Sequence, residues 1–176
     1  LTGNNLFTNG SNAADHDSRF FGGAITGGGQ LTLNGRNNVS YHLQQNNSFS
    51  GGLILDATDR YQVFFNAVGS AGTGAVTVNP RADTRSAVLS LGANDVFADT
   101  ATLTLNGNGY NNSAPGSTEY RNTLTRLDMN GFDDTVNQLV IDDVLAPAGT
   151  YTGTVNSQDW IAGTGTLTVL NGATVT

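Results

Sequence analysis

Two histidines, His16 and His42, and fourteen carboxylates supply the acid–base chemistry this sequence can offer. The carboxylates include two adjacent pairs, Asp133-Asp134 and Asp142-Asp143, nine residues apart. A glycosidase needs two carboxyl groups facing one sugar bond, one of them held protonated. Neighbouring residues of a strand point to opposite faces, so each pair is split unless it lies on a turn. Solvated turn residues are the expectation for all four. Asp15-His16-Asp17 and Asp56-Ala57-Thr58-Asp59 are the compact acidic groups, and neither has the oxygen spacing of a calcium loop. No G-x-S-x-G element places a serine on a strained elbow, and both histidines lie in polar surroundings. The GGG at 27–29 leads into a strand pattern, without the helix N-terminus of a phosphate cradle. Trp160 and the pairs Phe20-Phe21 and Phe64-Phe65 could stack on sugar rings; for Trp160, just before a strand pattern, a core plug or end cap is expected. No catalytic residue, metal ligand or cofactor site is assigned, and the chain is expected not to be an enzyme.

Composition narrows what could hold such residues in place. Of 176 residues 23 are Gly, only 3 are Pro, and charged residues are 12%. Gly, Asn and Thr are poor helix formers, and disorder calls for more charge and more Pro. Many short strands joined by tight turns remain, in a single domain over 1–176. The charge of −7 comes from 13 Asp, one Glu and seven Arg, with no Lys. The Arg residues are scattered singly, which excludes a nucleic-acid footprint, and anionic membrane surfaces are disfavoured for the same reason. The absence of Cys removes disulfides and thiolate chemistry, and the absence of Lys removes Lys–Asn isopeptide links. No stretch reaches the roughly 18 apolar residues of a membrane helix, so no membrane insertion is expected. The first residues lack a basic segment followed by an apolar run, so an export signal is expected to lie outside these residues.

Repetition supplies the architecture. LTLNG occurs at 31–35 and again at 103–107, with near-copies LFTNG at 6–10, LDMNG at 127–131 and LTVLNG at 167–172. The strand-like runs begin at Leu6, Leu31, Leu53, Val76, Leu103, Leu127, Tyr151 and Leu167, at intervals of 25, 22, 23, 27, 24, 24 and 16. A period near 24 carried by strands marks a solenoid. Leu-Thr-Leu buries one face and solvates the other. Asn-Gly then tolerates the left-handed backbone of a corner. Corners are expected at Asn9-Gly10, Asn34-Gly35, Asn106-Gly107, Asn130-Gly131 and Asn171-Gly172. The expected fold is an all-β, right-handed parallel β-helix of about seven to eight coils, with coils about 4.8 Å apart and Asn stacked on Asn. The alternative is an antiparallel sandwich or jelly roll. Polar loop insertions are expected at about 38–48 and 108–122.

GGGQLTLNGRNNVSYHLQQNNSFSGGLIL (27–55) resembles the autotransporter-associated β-strand repeat, also called the passenger-associated transport repeat. Gly29, Leu31, Thr32, Leu33, Gly35, Asn37, Phe49, Gly51, Gly52 and Ile54 fall on its pattern. GTGAVTVNPRA (72–82) looks like its continuation, and 127–142 and 149–173 resemble the last coils of secreted bacterial proteins of this type. The two polar loops depart from the repeat, and Leu145-Ala-Pro-Ala-Gly-Thr150 only echoes a sortase signal. The resemblance implies an exported β-helix at a bacterial cell surface or in an extracellular matrix, and it implies no particular ligand.

The ends of a solenoid expose unpaired backbone, which natural solenoids hide. No capping helix is visible here, and LTVLNGATVT at 167–176 has no charged or Pro gatekeeper. The expected function is a structural subunit joining its own kind into a fibre or layer through Leu6, Phe7, Leu167, Val169 and Leu170. An adhesin touching glycans through its loops is the alternative, with a polysaccharide-active enzyme third.

Overall fold

The computed structural model describes residues 1–8, 17–35, 39–57, 61–79, 87–107, 125–153 and 160–174. All regular structure among them is β. One sheet runs β1 (Asn4–Thr8), β3 (Gln30–Gly35), β5 (Leu53–Ala57), β7 (Val76–Asn79), β9 (Thr102–Leu105), β12 (Gln138–Ile141) and β13 (Val144–Leu145). A second holds β2 (Ser18–Phe21), β4 (Val39–Leu43), β6 (Tyr61–Phe65), β8 (Ala87–Leu91), β10 (Arg126–Asp128) and β15 (Ile161–Ala162). A short third sheet places β16 (Leu167–Val169) between β11 (Asp134–Val136) and β14 (Gly149–Tyr151). From β1 to β9 the chain alternates between the first two sheets, and each strand pairs in parallel with the strand one coil on. That connectivity is a β-solenoid, and the antiparallel sandwich falls with it.

Alternation of side chains explains why coils stack in one register. Leu31, Leu53, Val76, Leu103 and Leu139 form one inward column. Leu33, Leu55, Val78 and Leu105 form a second, and all nine residues of the two columns are buried. On the second sheet Tyr41, Val63, Leu89 and Leu127 do the same. Each such side chain gains about 1.5–3 kcal/mol from burial, and only the neighbouring coil can supply that burial. Outside, the column Thr32, Ile54, Thr77, Thr104 is half-buried, and Asn106 Nδ2 donates to Asn79 Oδ1 at 2.8 Å. Asn171 bonds Asn137 in the same way at 2.7 Å, as the stacked-Asn expectation requires.

Several expectations change. Each of the first two sheets holds six parallel strands, fewer than the seven to eight coils expected. The excess arose because Leu127 lies on the second sheet, and Tyr151 and Leu167 on the third, so three markers do not open new coils of the first sheet. Residues 39–43, expected in a polar loop, are β4, with Val39, Tyr41 and Leu43 buried and Ser40 and His42 outward. The 108–122 loop and Asn9-Gly10 lie outside the described residues. Asn34 and Gly35 are not a corner but the last two residues of β3, paired with Asp56 and Ala57. Asn130-Gly131 is a left-handed corner, with φ of 50° and 88°.

The third side of each coil is irregular, yet it is stacked through backbone bonds such as Ser48 N–H to Ile25 O at 2.9 Å and Ala71 N–H to Val96 O at 3.1 Å. Where this side turns into the first sheet, Gly29, Gly51 and Gly74 lie on successive coils in near backbone contact. A Cβ on Gly51 would sit 2.4 Å from the Gly29 carbonyl carbon, and one on Gly74 would sit 2.5 Å from Gly52 N. Gly51→Ala is expected to cost about 1–3 kcal/mol by overpacking. Gly28→Ala, whose Cβ would meet nothing within 4 Å, should stay within about 0.5 kcal/mol of the parent. Chemical denaturation checks this, and equal midpoints for the two variants would contradict the close stacking.

Candidate functional site

The acidic pairs do not come together as a catalytic site. Asp142 and Asp143 are exposed and form the two-residue turn between β12 and β13, with φ of 47° and 63°. Both central residues being left-handed makes this the hairpin turn that suits strand twist. Asp142 Oδ1 also accepts the Gly107 N–H at 2.6 Å, tying the turn to the coil before it. Gly107 itself is required by Trp160, since a Cβ there would lie 2.3 Å from Trp160 Cη2. Trp160 is buried, which makes it the expected core plug.

Asp133 and Asp134 part at the start of β11, which Asp134 opens. Asp133 is exposed, whereas Asp134 is buried, which corrects the expectation of a solvated turn residue. Val136 is inward, and residues two apart in a strand share a face, so Asp134 must be inward too. Its Oδ2 accepts the Val96 and Phe97 N–H groups at 2.9 and 3.2 Å, and its Oδ1 accepts Thr135 N–H at 2.8 Å. Burial pushes its carboxyl up to about 7, against the pull of those three donors, and the nearby Asp95 adds to the rise. Three coils earlier on the same side, buried Asn47 has a matching role. Its Oδ1 accepts Ile25 N–H at 2.7 Å and its Nδ2 donates to Ser70 O at 2.7 Å, bridging three coils. Both side chains satisfy backbone groups that strand pairing leaves over. Among the described residues no cluster of His, Asp or Glu could hold a metal ion.

The aromatic pairs divide as alternation demands. Phe21 and Phe65 face the interior, while Phe20 and Phe64 face out, with His42 between them. The three rings stack with centroids 4.5 Å apart at both steps and interplanar angles of 18° and 5°. Stacked along the rod, the rings hide one another's faces and present edges to the side. The open face belongs to Phe20, which is 61% exposed on the edge strand β2. Burial in this stack lowers the His42 pKa, favouring the neutral ring. The spacing of 22 residues from Phe20 to His42 and from His42 to Phe64 matches that of Leu31 to Leu53, a signal the sequence carried.

The two ends of the solenoid differ. At the N-terminal end β1 and β2 are the edge strands, five and four residues long. Leu6 is 68% exposed and Phe7 38%, although the Phe7 ring meets Phe21 and Tyr41 edge-on, with centroids 5.1 and 6.1 Å away. Leu6 pairs with Thr32, so it stands on the outer column, while Asn5 and Phe7 take the inward places over Leu31 and Leu33. Asn5 Nδ2 donates to the Gly3 and Gln30 carbonyls at 3.0 and 3.1 Å. On β2, Arg19 stands over Tyr41 in the inward column and pairs with Asp17 at 2.5 Å.

At the C-terminal end the strands fold back. β13 pairs antiparallel with β12 and β14 with β16, and the edge strands β13, β14 and β15 are only two, three and two residues long. Short edge strands resist further pairing. Leu167 and Val169, expected as an assembly surface, are buried, and only Leu170 is exposed. Gly172 is wedged against Ala146, Pro147 and Ala148, where it does not adopt a left-handed backbone. The missing cap is thus built from strands, which an inspection for capping helices misses.

No family model, curated protein or solved structure matches this chain.

The Asp134 carboxyl generates a pH prediction. With its value raised from 3.8 to about 7, the folded state holds a proton that the unfolded chain has released. Its stabilising contribution is full below the ordinary carboxylate value and declines as pH rises to about 7. The denaturation midpoint of the parent, compared with that of Asp134→Asn, should therefore fall between pH 4 and 7 and level off above. A difference that stays flat, or rises, would contradict the buried assignment.

Proposed function

We propose that this chain is a non-enzymatic structural β-solenoid that associates with its own kind by pairing at its N-terminal edge. One observation carries the reading. The five-residue edge strand β1 leaves Leu6 and Phe7 exposed, while the opposite end is blunted by short antiparallel strands. An unpaired strand edge with exposed apolar side chains is a template for another strand. In this reading the winding is right-handed, as parallel strand crossovers nearly always are. The resemblance of 27–55 to the autotransporter-associated repeat supports an exported protein of a bacterial cell surface or matrix. A separated Asp133-Asp134 pair favours no polysaccharide-cleaving chemistry.

The adhesin alternative is favoured by one feature, the free ring face of Phe20, against which the apolar face of a sugar could stack. Its test is a glycan array with the parent and Phe20→Ala, where binding by the parent alone would support it.

Self-association predicts that sedimentation velocity of the parent shows a concentration-dependent species heavier than 18.2 kDa. Leu6→Lys, which sets a charge on the edge strand, should raise the concentration needed for that species by at least about tenfold. A parent that stays monomeric at the highest soluble concentration would defeat the proposal.

A further inference from the structure

Asn106-Gly107 follows directly on β9, and the peptide group joining its two residues is held at both ends by side chains. The Gly107 N–H donates to Asp142 Oδ1 at 2.6 Å, and the Asn106 carbonyl accepts from Thr125 Oγ1 at 2.7 Å. Most backbone groups of the stack bond the backbone of a neighbouring coil, as the Asn106 N–H does with Val78 O at 3.0 Å. This peptide group instead meets a carboxylate at its proton and a hydroxyl at its oxygen.

That arrangement has a chemical consequence. A carboxylate within about 2.6–3.2 Å of an N–H is placed to take its proton. The charge left behind is shared between Gly107 N and Asn106 O, and a hydroxyl donating to that oxygen stabilises it. The nearest electrophile along the chain is the side-chain amide carbon of Asn106, which a small imide ring would join to Gly107 N. Glycine has no Cβ to obstruct that closure. We propose that Asn106-Gly107 is a self-modification site, where Gly107 N closes on the Asn106 side chain with Asp142 as base and Thr125 as donor to the developing charge. The site exists whether or not the rod associates.

The reaction needs no partner beyond water. A bond forms between Gly107 N and Asn106 Cγ, and the bond from Cγ to Nδ2 breaks. The Gly107 proton passes through the Asp142 carboxylate to the departing Nδ2, which leaves as ammonia. Water then opens the ring. Opening at Cγ gives an aspartate at position 106, and opening at the backbone carbonyl gives an isoaspartate, with a main chain longer by one methylene. Either product sets a new negative charge beside Asp142 and removes the Nδ2 donor that bonds Asn79 Oδ1 at 2.8 Å. The outer Asn ladder between β7 and β9 is lost with it.

Asn130-Gly131 provides the internal comparison. Its Gly131 N–H donates to the Thr164 carbonyl, and Asn130 Nδ2 is held by two acceptors, Ser90 Oγ at 2.7 Å and Leu91 O at 3.0 Å. After incubation of the folded parent near neutral pH, cleavage at Arg puts the two sites on separate peptides, 86–121 and 127–176. Fragment masses then locate the amide-to-acid conversion. Asn106 should convert at least about tenfold faster than Asn130. Asp142→Asn keeps an acceptor for the Gly107 N–H and tolerates the left-handed turn, but it takes up no proton. It should slow Asn106 by at least about tenfold and leave Asn130 unchanged. In denaturant that effect should vanish. Equal rates at the two sites of the folded parent, a slower Asn106, or an Asp142→Asn protein that converts as fast as the parent would each overturn the assignment. So would an Asp142→Asn effect that persists in denaturant, since it would owe nothing to the folded contact.

Discussion

The structure depends on the parallel pairing of each coil with the next in a fixed register. A single coil has one inward row per side and nothing to press it against. Stacking at about 4.8 Å sets Leu31, Leu53, Val76, Leu103 and Leu139 in one line, and burial of that line is available only to the stack. A slip of one residue would turn every Leu outward and every Thr inward, so register and core are one constraint. The close-packed glycines at 29, 51 and 74 belong to the same constraint, since the coils can approach only where no Cβ intervenes.

The corners are where the pairing runs out and polar side chains take over. Strands satisfy their own backbone, but the third side of each coil is irregular and must find partners elsewhere. Asn47 and Asp134 supply them from inside, each reaching from its own coil to the one before. For Asp134 the choice of a carboxylate carries a consequence that Asn47 does not, because burial holds the group between charge states near neutral pH. The external Asn pairs at 79 and 106, and at 137 and 171, do similar bonding on the outside without that sensitivity.

Much of this was readable in the sequence, and the failures have physical causes. Leu31, Leu53, Val76 and Leu103 recur at 22, 23 and 27 because each stands one coil beyond the last in the same column of the first sheet. After Leu103 the next residue in that column is Leu139, 36 on, since residues 106–124 lengthen the coil. Leu127 lands 24 residues after Leu103 but on the second sheet, so an apparent continuation of the period hid the change. Val39-Ser-Tyr-His-Leu43 was missed as a strand because polar flanks and an outward His masked its alternation. The column of Phe20, His42 and Phe64 was equally regular, but three different neighbourhoods of sequence concealed a shared spacing. What remained illegible was the C-terminal closure. Antiparallel return strands of two or three residues are too short to leave a periodic trace, and their partners are set by the stack they cover.

The central claim is that β1 is held by β3 on one side and open to a second chain on the other. Hydrogen exchange at β1 measures both at once. Gln30 N–H donates to Gly3 O and Leu31 N–H to Gly52 O, so successive amides of β3 point to opposite neighbours. The same alternation directs the Phe7 amide toward β3 and the Leu6 amide toward the free edge. The account predicts that Phe7 is protected at every protein concentration, while Leu6 exchanges freely when dilute and becomes protected when concentrated. Rapid exchange at Leu6 under all conditions would contradict pairing at the edge, and rapid exchange at Phe7 would contradict the stacked register itself.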